Sequence, residues 1–286
     1  MEAQHQRSDC LEPTSPMITT LVFSGGGMKF LAYVGVLKAL DEKKLIKNVK
    51  SISGTSAGSI FALLICMDYT WKELYDIMMN YNFTDMNDID IEYFSDSYGL
   101  DSGNKIMKFV KYLIKKSPAK VGPNITFKEL YMKSKKHLII TATCLNDYTI
   151  KIFDYINTPN LKVCNAIRMS ISIPYYYTSK KYKNKIYIDG SILENLPISM
   201  FDPSENVLGF LLTDTKTVDV KINSLEEFTY NLFLCIRKNI GKPGPYNIIQ
   251  INTKNIGMLD FEIDNYQKIN LFNSGYVDTI KYFNNT

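Results

Sequence analysis

Gly54-Thr55-Ser56-Ala57-Gly58 follows a strand-like stretch at residues 48–53 and precedes the apolar run from Ile60 to Ile65. A serine flanked by small residues between a strand and a helix predicts a nucleophile elbow. In this sharp turn the serine takes a strained backbone conformation and its hydroxyl stands above the sheet. The dipole of the following helix would favour negative charge on the Ser56 oxygen. The alternative is a Gly/Ser-rich turn without chemistry, but the order strand, turn, helix favours Ser56 as a nucleophile.

A second glycine cluster, Ser24-Gly25-Gly26-Gly27-Met28-Lys29, lies between a strand at 18–23 and a helical pattern that reaches Leu40. A Walker A loop requires Gly-Lys-Ser/Thr, and a dinucleotide fingerprint requires a third spaced glycine where Phe30 stands, so both interpretations fail. An oxyanion hole requires only backbone N–H donors aimed at a developing negative charge, which the three glycines offer. A tight turn without chemistry remains the alternative for this loop.

The two strand-turn-helix units, at 18–40 and 49–67, predict an α/β fold with three α/β/α layers and a mainly parallel central sheet. Both turns would lie at the carboxyl edge of the sheet, where open α/β sheets bind ligands. Strands at 207–212 and 247–251, with helices at 225–238 and 266–283, are expected to complete the layers.

The chain has only two histidines, so the base that would activate Ser56 is unusual. His5 lies in a polar stretch, 1–16, that we expect to be disordered. His137 opens a strand-like run, whereas the α/β-hydrolase triad places its histidine late, after the acid. A Ser-His-Asp mechanism is therefore disfavoured, although His137 stays an alternative. A carboxylate is the stronger candidate, because Lys185-Ile186-Tyr187-Ile188-Asp189-Gly190-Ser191 is a β-rich run that ends in an Asp-Gly turn.

Taken together, Gly25-Gly26-Gly27-Met28-Lys29, Gly54-Thr55-Ser56-Ala57-Gly58 and Asp189-Gly190 resemble, in order and spacing, the three motifs of patatin-like phospholipases. The resemblance covers residues 17–215 and weakens afterwards. Further similar segments are Gly35 to Leu40, Thr126 to Tyr131, Ala142-Thr143, Ala166 to Pro174 and Asn195-Leu196-Pro197.

The resemblance implies a lipid acyl hydrolase that uses a Ser-Asp dyad. The sequence has no acidic loop that resembles a calcium site, so we expect activity without calcium, another metal or a cofactor. Its substrate would be a phospholipid or another acyl-ester lipid. Ser56 would be the nucleophile, Asp189 the general base and the three glycines of 25–27 the oxyanion donors. The residues expected to support these motifs are Lys29, Gly54, Gly58 and Gly190. Acyl transfer through the same dyad, or a catalytically silent lipid- or partner-binding protein, remain alternatives.

The sequence departs from the family pattern at three positions. Phe30 replaces the glycine that usually closes the oxyanion motif, and it is expected to tilt the first helix or to narrow the acyl site. Met169 stands where alanine is common, and Ser191 follows Asp189-Gly190 where glycine or alanine is usual. These departures bear on rate and substrate range more than on the dyad.

Composition limits the remaining possibilities. With 286 residues, 45% of them hydrophobic, and no linker-like segment, residues 17–286 are predicted to form one catalytic domain. No signal peptide or membrane-spanning run is evident, and the five cysteines are odd in number and lack a framework spacing. We therefore expect an intracellular protein, cytoplasmic or peripherally associated with a membrane. A net charge of +4 is too small to indicate nucleic-acid binding.

Two segments are candidates for contact with a membrane surface. Residues 104–116 form an amphipathic pattern with lysines beside its apolar face, and such a helix either lies on anionic lipid or packs its apolar face in the core. Tyr175-Tyr176-Tyr177 precedes four lysines between 180 and 185. Aromatic rings beside lysines suit a headgroup boundary, and a tyrosine-rich loop over the active site is the alternative.

Overall fold

The computed structural model describes residues 17–90, 98–214, 244–254 and 256–285, together with the single positions 92, 94, 222, 228, 231, 232, 234 and 235. The predicted disordered stretch 1–16, with His5, lies outside the described residues, as does most of the predicted helix at 225–238. The division of the chain into domains therefore stays a prediction.

Ten strands are found in the described part of the chain. They are β1 (Thr20–Phe23), β2 (Ser51–Thr55), β3 (Gly99–Asp101), β4 (His137–Cys144), β5 (Thr149–Phe153), β6 (Tyr175–Tyr177), β7 (Lys180–Tyr182), β8 (Lys185–Asp189), β9 (Val207–Thr213) and β10 (Asn247–Asn252).

The described α-helices are α1 (Ala32–Glu42), α2 (Ala57–Cys66), α3 (Trp71–Asn80), α4 (Asn104–Lys116), α5 (Phe127–Ser134), α6 (Val163–Ser170) and α7 (Asn265–Asn285). Short 3₁₀ helices occur at Gly27–Leu31, Ile46–Asn48, Phe83–Met86 and Gly190–Ile192. The helix predicted at 266–283 is thus confirmed as α7, and the strands predicted at 207–212 and 247–251 are confirmed as β9 and β10.

The central sheet has the strand order β10-β9-β1-β2-β4-β8-β7, with β5 also paired to β4. The first five strands in this order, β10, β9, β1, β2 and β4, run parallel to one another. Strands β5 and β8 run antiparallel to β4, and β7 runs antiparallel to β8. The predicted α/β fold with a mainly parallel sheet is confirmed. A separate two-stranded sheet joins β3 and β6.

The central parallel strands are almost entirely buried, as expected for a parallel sheet that is covered by helices on both faces. All four residues of β1 are buried, and so is every residue of α2. Phe23 of β1 anchors an aromatic cluster, with ring centroids 4.9 Å from Tyr33, 5.1 Å from Phe61 and 5.1 Å from Phe210. The cluster joins β1, α1, α2 and β9, so it fixes the two helices that follow the glycine motifs.

Helices α1 and α7 cross at two glycines. A Cβ on Gly35 would lie 1.9 Å from the carbonyl oxygen of Phe272, and a Cβ on Gly275 would lie 1.9 Å from that of Ala32. Any side chain at either position would therefore force the two backbones apart. Because α1 follows directly on the glycine-rich loop, this crossing also positions the loop.

The amphipathic helix α4 packs its apolar face into the protein. Its buried residues are Met107, Phe109, Val110, Leu113 and Ile114, which agrees with the core-packing alternative. Tyr176 and Tyr177 are also buried, and only Tyr175 of that triplet is exposed. Among the residues that the structure describes, every helix is too short or too polar to cross a lipid bilayer.

Candidate active site

Ser56 lies in a sharp turn between β2 and α2, as the sequence predicts. Its backbone has φ 51° and ψ −127°, outside the regions that a non-glycine residue ordinarily occupies. The flanking glycines permit the turn: a Cβ on Gly54 would lie 2.3 Å from the Gly58 carbonyl oxygen, and a Cβ on Gly58 would lie 2.5 Å from that of Phe23. Strain of this kind persists only where the surrounding structure enforces it.

The side chains of Ser56 and Asp189 form a short hydrogen bond. Ser56 Oγ donates to Asp189 Oδ2 at 2.5 Å, and both residues are at least 96% buried. Asp189 ends β8, where it pairs with Ala142 of the neighbouring strand β4. A Cβ on Gly190 would lie 2.8 Å from the Thr141 carbonyl oxygen, so glycine lets the chain turn closely against β4 after Asp189.

The carboxyl end of α6 holds both members of this pair. Ser170 Oγ accepts the backbone N–H of Ser56 at 2.8 Å, and the Ser172 carbonyl accepts the N–H of Asp189 at 2.8 Å. Ser170 belongs to a segment that resembles the family, but its sequence gives no sign of what the hydroxyl contacts. Its partner lies 114 positions away, so sequence reasoning could not assign this role.

The glycine-rich loop comes close to Ser56, but its backbone N–H groups are not equivalent. The N–H of Gly25 donates to the Asn195 carbonyl at 3.1 Å, and that of Met28 donates to the Met258 carbonyl at 2.8 Å. Gly26 and Gly27 are partly exposed, and within the described residues their N–H groups have no acceptor. Of the three predicted oxyanion donors, Gly25 is therefore occupied in this structure, while Gly26 and Gly27 are available.

Lys29 is a buried residue that ties this loop to the sheet. Its ammonium group lies 2.7 and 2.6 Å from the two carboxylate oxygens of Asp214, which directly follows β9. Thr253 Oγ1 donates to the same carboxylate at 3.0 Å. Lys29 is only 4% exposed, and its contacts connect the glycine-rich loop to the end of β9.

An apolar crevice of about 40 Å³ opens at Ser56. Phe30 forms part of its wall, together with residues from the glycine-rich loop, α2, α4, the segment after α6 and the chain before α7. The lining residues are Gly27, Met28, Phe30, Ser56, Ala57, Ile60, Met86, Ile106, Phe109, Ile171, Ile173, Tyr177, Met258, Leu259 and Phe261. Phe30 thus occupies space in this crevice close to Ser56.

A buried arginine, Arg168, supports the segment that follows α6. The guanidinium group of Arg168 donates to Ser172 Oγ at 2.6 Å and to the Thr178 carbonyl at 2.8 Å. Burial lowers the pKa of Arg168, and burial raises the pKa of the nearby Asp101. The Ser172 carbonyl also accepts the backbone N–H of Asp189, so Ser172 connects Arg168 to the hydrogen-bonded pair of Ser56 and Asp189.

His137 lies far from Ser56. It opens β4 and pairs with Ser51, the first residue of β2, whereas Ser56 follows the last residue of that strand. Five residues of strand span about 16 Å, which places His137 at the opposite edge of the sheet. Its Nε2 lies 3.1 Å from Asp154 Oδ2. Burial alone would raise the pKa of Asp154, but hydrogen bonds from His137 and Asn157 outweigh it and lower that pKa.

A model of the family described as patatin-like phospholipase matches residues 21–202, a range that contains the glycine-rich loop, Ser56 and Asp189. The chain belongs to the patatin-like phospholipase family. The predicted family resemblance is thereby confirmed.

The patatin-like chain has curated relatives in viruses and in yeast. It is 28% identical over 277 residues to the uncharacterized protein R571 of Acanthamoeba polyphaga mimivirus, covering 90% of this chain and 91% of that protein. It is 32% identical over 184 residues to the probable lipid hydrolase 463L of Invertebrate iridescent virus 6, covering 63% and 62%. Triacylglycerol lipase 5 of Saccharomyces cerevisiae is 29% identical over 224 residues, which cover 66% of this chain but 28% of the yeast protein.

Solved structures share the fold at low sequence identity. VipD from Legionella pneumophila has a TM-score of 0.67 and 17% identity, over 95% of this chain and 67% of VipD. ExoU, in complex with SpcU from Pseudomonas aeruginosa, has a TM-score of 0.55 and 19% identity, over 94% and 52%. These similarities place the patatin-like chain in the same α/β fold.

Proposed function

We propose that this patatin-like protein hydrolyses fatty-acyl esters of phospholipids or related lipids, with Ser56 as nucleophile and Asp189 as general base. The hydrogen bond of 2.5 Å between Ser56 Oγ and Asp189 Oδ2 carries the proposal, because it gives the hydroxyl a base within reach of its proton. The strained elbow and the neighbouring loop N–H groups add to it. Relatives named as a probable lipid hydrolase and a triacylglycerol lipase favour lipid esters as the substrate class.

In the first half-reaction Ser56 Oγ attacks the ester carbonyl carbon while its proton passes to Asp189. The carbonyl oxygen becomes an oxyanion, which the N–H groups of Gly26 and Gly27 would stabilise. The bond from carbon to the alcohol oxygen then breaks, and the alcohol leaves with the proton from Asp189. The product at this stage is an acyl-enzyme on Ser56.

In the second half-reaction water attacks the acyl carbon and gives a proton to Asp189. The bond to Ser56 Oγ breaks, the proton returns to Ser56, and a fatty acid is released. If an alcohol replaces water, the same steps give acyl transfer, so the dyad serves either reaction. A hydrogen-bonded nucleophile and base argue against a catalytically silent protein.

The apolar crevice marks the side of Ser56 on which the acyl chain would lie, and its walls would have to move apart to admit a long chain. Its wall consists of aliphatic, aromatic and methionine side chains, which favour burial of a hydrocarbon chain over water. The proposed chemistry uses no metal ion, so we expect hydrolysis to continue in the presence of EDTA.

The product profile of the purified protein tests this function. Phospholipid vesicles and triacylglycerol emulsions would be incubated with the wild type, with Ser56→Ala and with His137→Ala, and the lipids analysed by mass spectrometry. We expect free fatty acid from the wild type and from His137→Ala, and none above background from Ser56→Ala. Release of fatty acid by Ser56→Ala at the wild-type level would overturn the proposal. Loss of release in a folded His137→Ala protein would indicate that His137, and not Asp189, is the base.

A further inference from the structure

Ser191 is a hydroxyl-bearing residue that stands beside the dyad where the family pattern has glycine or alanine. Its backbone N–H donates to Asp189 Oδ1 at 2.8 Å, which leaves Oδ2 for Ser56. Ser191 therefore touches the proposed base directly. Its side chain is a departure from the family that the mechanism above does not use.

The Ser191 hydroxyl lies close to the nucleophile. A Cβ built on Gly25 would be 2.4 Å from Ser191 Oγ and 3.0 Å from Ser56 Cβ, so the two serine side chains flank the same small volume. Asn195 Oδ1 lies 3.0 Å from that point as well. Ser191 is partly exposed, and its hydroxyl has no hydrogen-bond partner among the described residues. A free hydroxyl offers one donor and two acceptor positions to a bound molecule.

The position of Ser191 indicates which part of a substrate it would meet. The residues that line the apolar crevice include Ser56 but neither Ser191 nor Asn195. With the acyl chain in the crevice, the alcohol oxygen of the ester must point away from it, toward the base that protonates it. Ser191 and Ser56 are both hydrogen-bonded to Asp189. The Ser191 hydroxyl would therefore lie on the same side of the reacting carbon as the base, away from the apolar crevice.

We propose that Ser191 Oγ binds the alcohol oxygen that leaves in the first half-reaction and the water that replaces it in the second. This inference rests on the proposed function and adds a residue to it. During deacylation the water oxygen bonds to the acyl carbon, one water proton goes to Asp189, and the other is held in a hydrogen bond by Ser191 Oγ. The proton on Asp189 then passes to Ser56 Oγ as the acyl bond breaks. Ser191 itself gains and loses no bond.

Pre-steady-state hydrolysis of p-nitrophenyl butyrate separates this role from a structural one. Nitrophenolate leaves without needing a proton, so loss of the Ser191 hydroxyl should spare acylation and slow deacylation. Ser191→Ala and Ser191→Gly both remove the hydroxyl, Ser191→Thr keeps it, and Ser199→Ala removes an exposed hydroxyl that bonds to Glu194 on the same segment. Thermal unfolding of each variant reports whether it is folded.

For Ser191→Ala and Ser191→Gly we expect kcat to fall about five- to tenfold, the effect of one lost hydrogen bond. The initial burst of nitrophenol should rise toward one equivalent, and the rate of fluorophosphonate labelling should stay within about twofold of wild type. Ser191→Thr should keep kcat within about threefold, and Ser199→Ala should behave as wild type.

Unchanged kcat and burst in both hydroxyl-free variants would overturn the inference, as would an equal fall in labelling and in kcat. If the wild type itself is not labelled at Ser56, the proposed function fails and this inference fails with it. Failure of the proposed function can be told apart from failure of the Ser191 inference, because it is seen with the wild type before any Ser191 variant is compared.

Discussion

At the scale of single residues, the chemistry depends on which polar atoms are already bonded. Ser56 and Asp189 can be proposed from the sequence, because the elbow pattern is a local signal and the Asp-Gly turn resembles the third motif of the family. The sequence does not show that the N–H of Gly25 is occupied, because its acceptor, the Asn195 carbonyl, lies on a segment far along the chain. Nor does the sequence show that Lys29 forms a buried ion pair, because its partner Asp214 is 185 positions away.

Replacing Lys29 by methionine should destabilise the glycine-rich loop. The substitution leaves the Asp214 carboxylate without its cation in a partly buried position, which should lower the free energy of unfolding by about 2 kcal/mol. Urea unfolding of Lys29→Met measures this cost, with Lys128→Met at an exposed position of α5 as the matched control. Equal stability of the two variants would show that the ion pair contributes nothing.

Phe30 should limit the length of the acyl chain. Its ring forms part of the wall of a crevice of about 40 Å³, so Phe30→Ala should make room for longer chains. We expect the ratio of kcat/KM for p-nitrophenyl palmitate over butyrate to rise at least about fivefold, since each methylene gained in an apolar pocket is worth 1–3 kcal/mol. A ratio that stays at the wild-type value would mean that Phe30 does not shape the acyl site.

At the scale of secondary-structure elements, the site arises where β1, β2 and β8 end. The sequence predicts the first two strand-turn-helix units because apolar runs are followed by glycine-rich turns, and both are observed. The antiparallel attachment of β8 to β4 is not visible in the sequence. It depends on pairing between residues such as Ala142 and Asp189, which are far apart in the chain.

The elbow should tolerate no side chain at Gly58. A Cβ there would lie 2.5 Å from the carbonyl oxygens of Phe23 and Ser24. We therefore expect Gly58→Ala to lower the free energy of unfolding by about 2–3 kcal/mol through overpacking and to reduce fluorophosphonate labelling of Ser56. In Gly122→Ala the added Cβ meets nothing within 4 Å, so this control should keep both properties. Normal stability and labelling in Gly58→Ala would disprove the proposed steric role of the glycine.

At the scale of the whole molecule, the crossing of α1 and α7 supports the glycine-rich loop, because α1 follows directly on that loop. The sequence predicts both helices from their periodicity, but not that they touch at Gly35 and Gly275. A glycine inside a helical pattern does not show which other helix packs against it. The chain after residue 215 therefore contributes to the site by packing, although the family motifs all precede it.

Substitution of Gly275 tests this long-range support. In Gly275→Ala the Cβ would lie 1.9 Å from the Ala32 carbonyl oxygen, so α7 must move away from α1. We expect a loss of about 2–3 kcal/mol in the free energy of unfolding. Val277→Ala, at an exposed position of the same helix, should change it by no more than about 0.5 kcal/mol. A Gly275→Ala protein as stable as the control would show that the close crossing is dispensable.

The activation of Ser56 by Asp189 is tested most directly by the rate at which a fluorophosphonate probe modifies Ser56. Intact mass and peptide mapping would be followed over time for the wild type and for Asp189→Asn, an isosteric change that removes the base. We predict a single adduct on Ser56 in the wild type and labelling at least about 100-fold slower in the folded variant, the usual contribution of a general base. Labelling of Asp189→Asn at the wild-type rate, or an adduct on another residue, would contradict the Ser-Asp dyad.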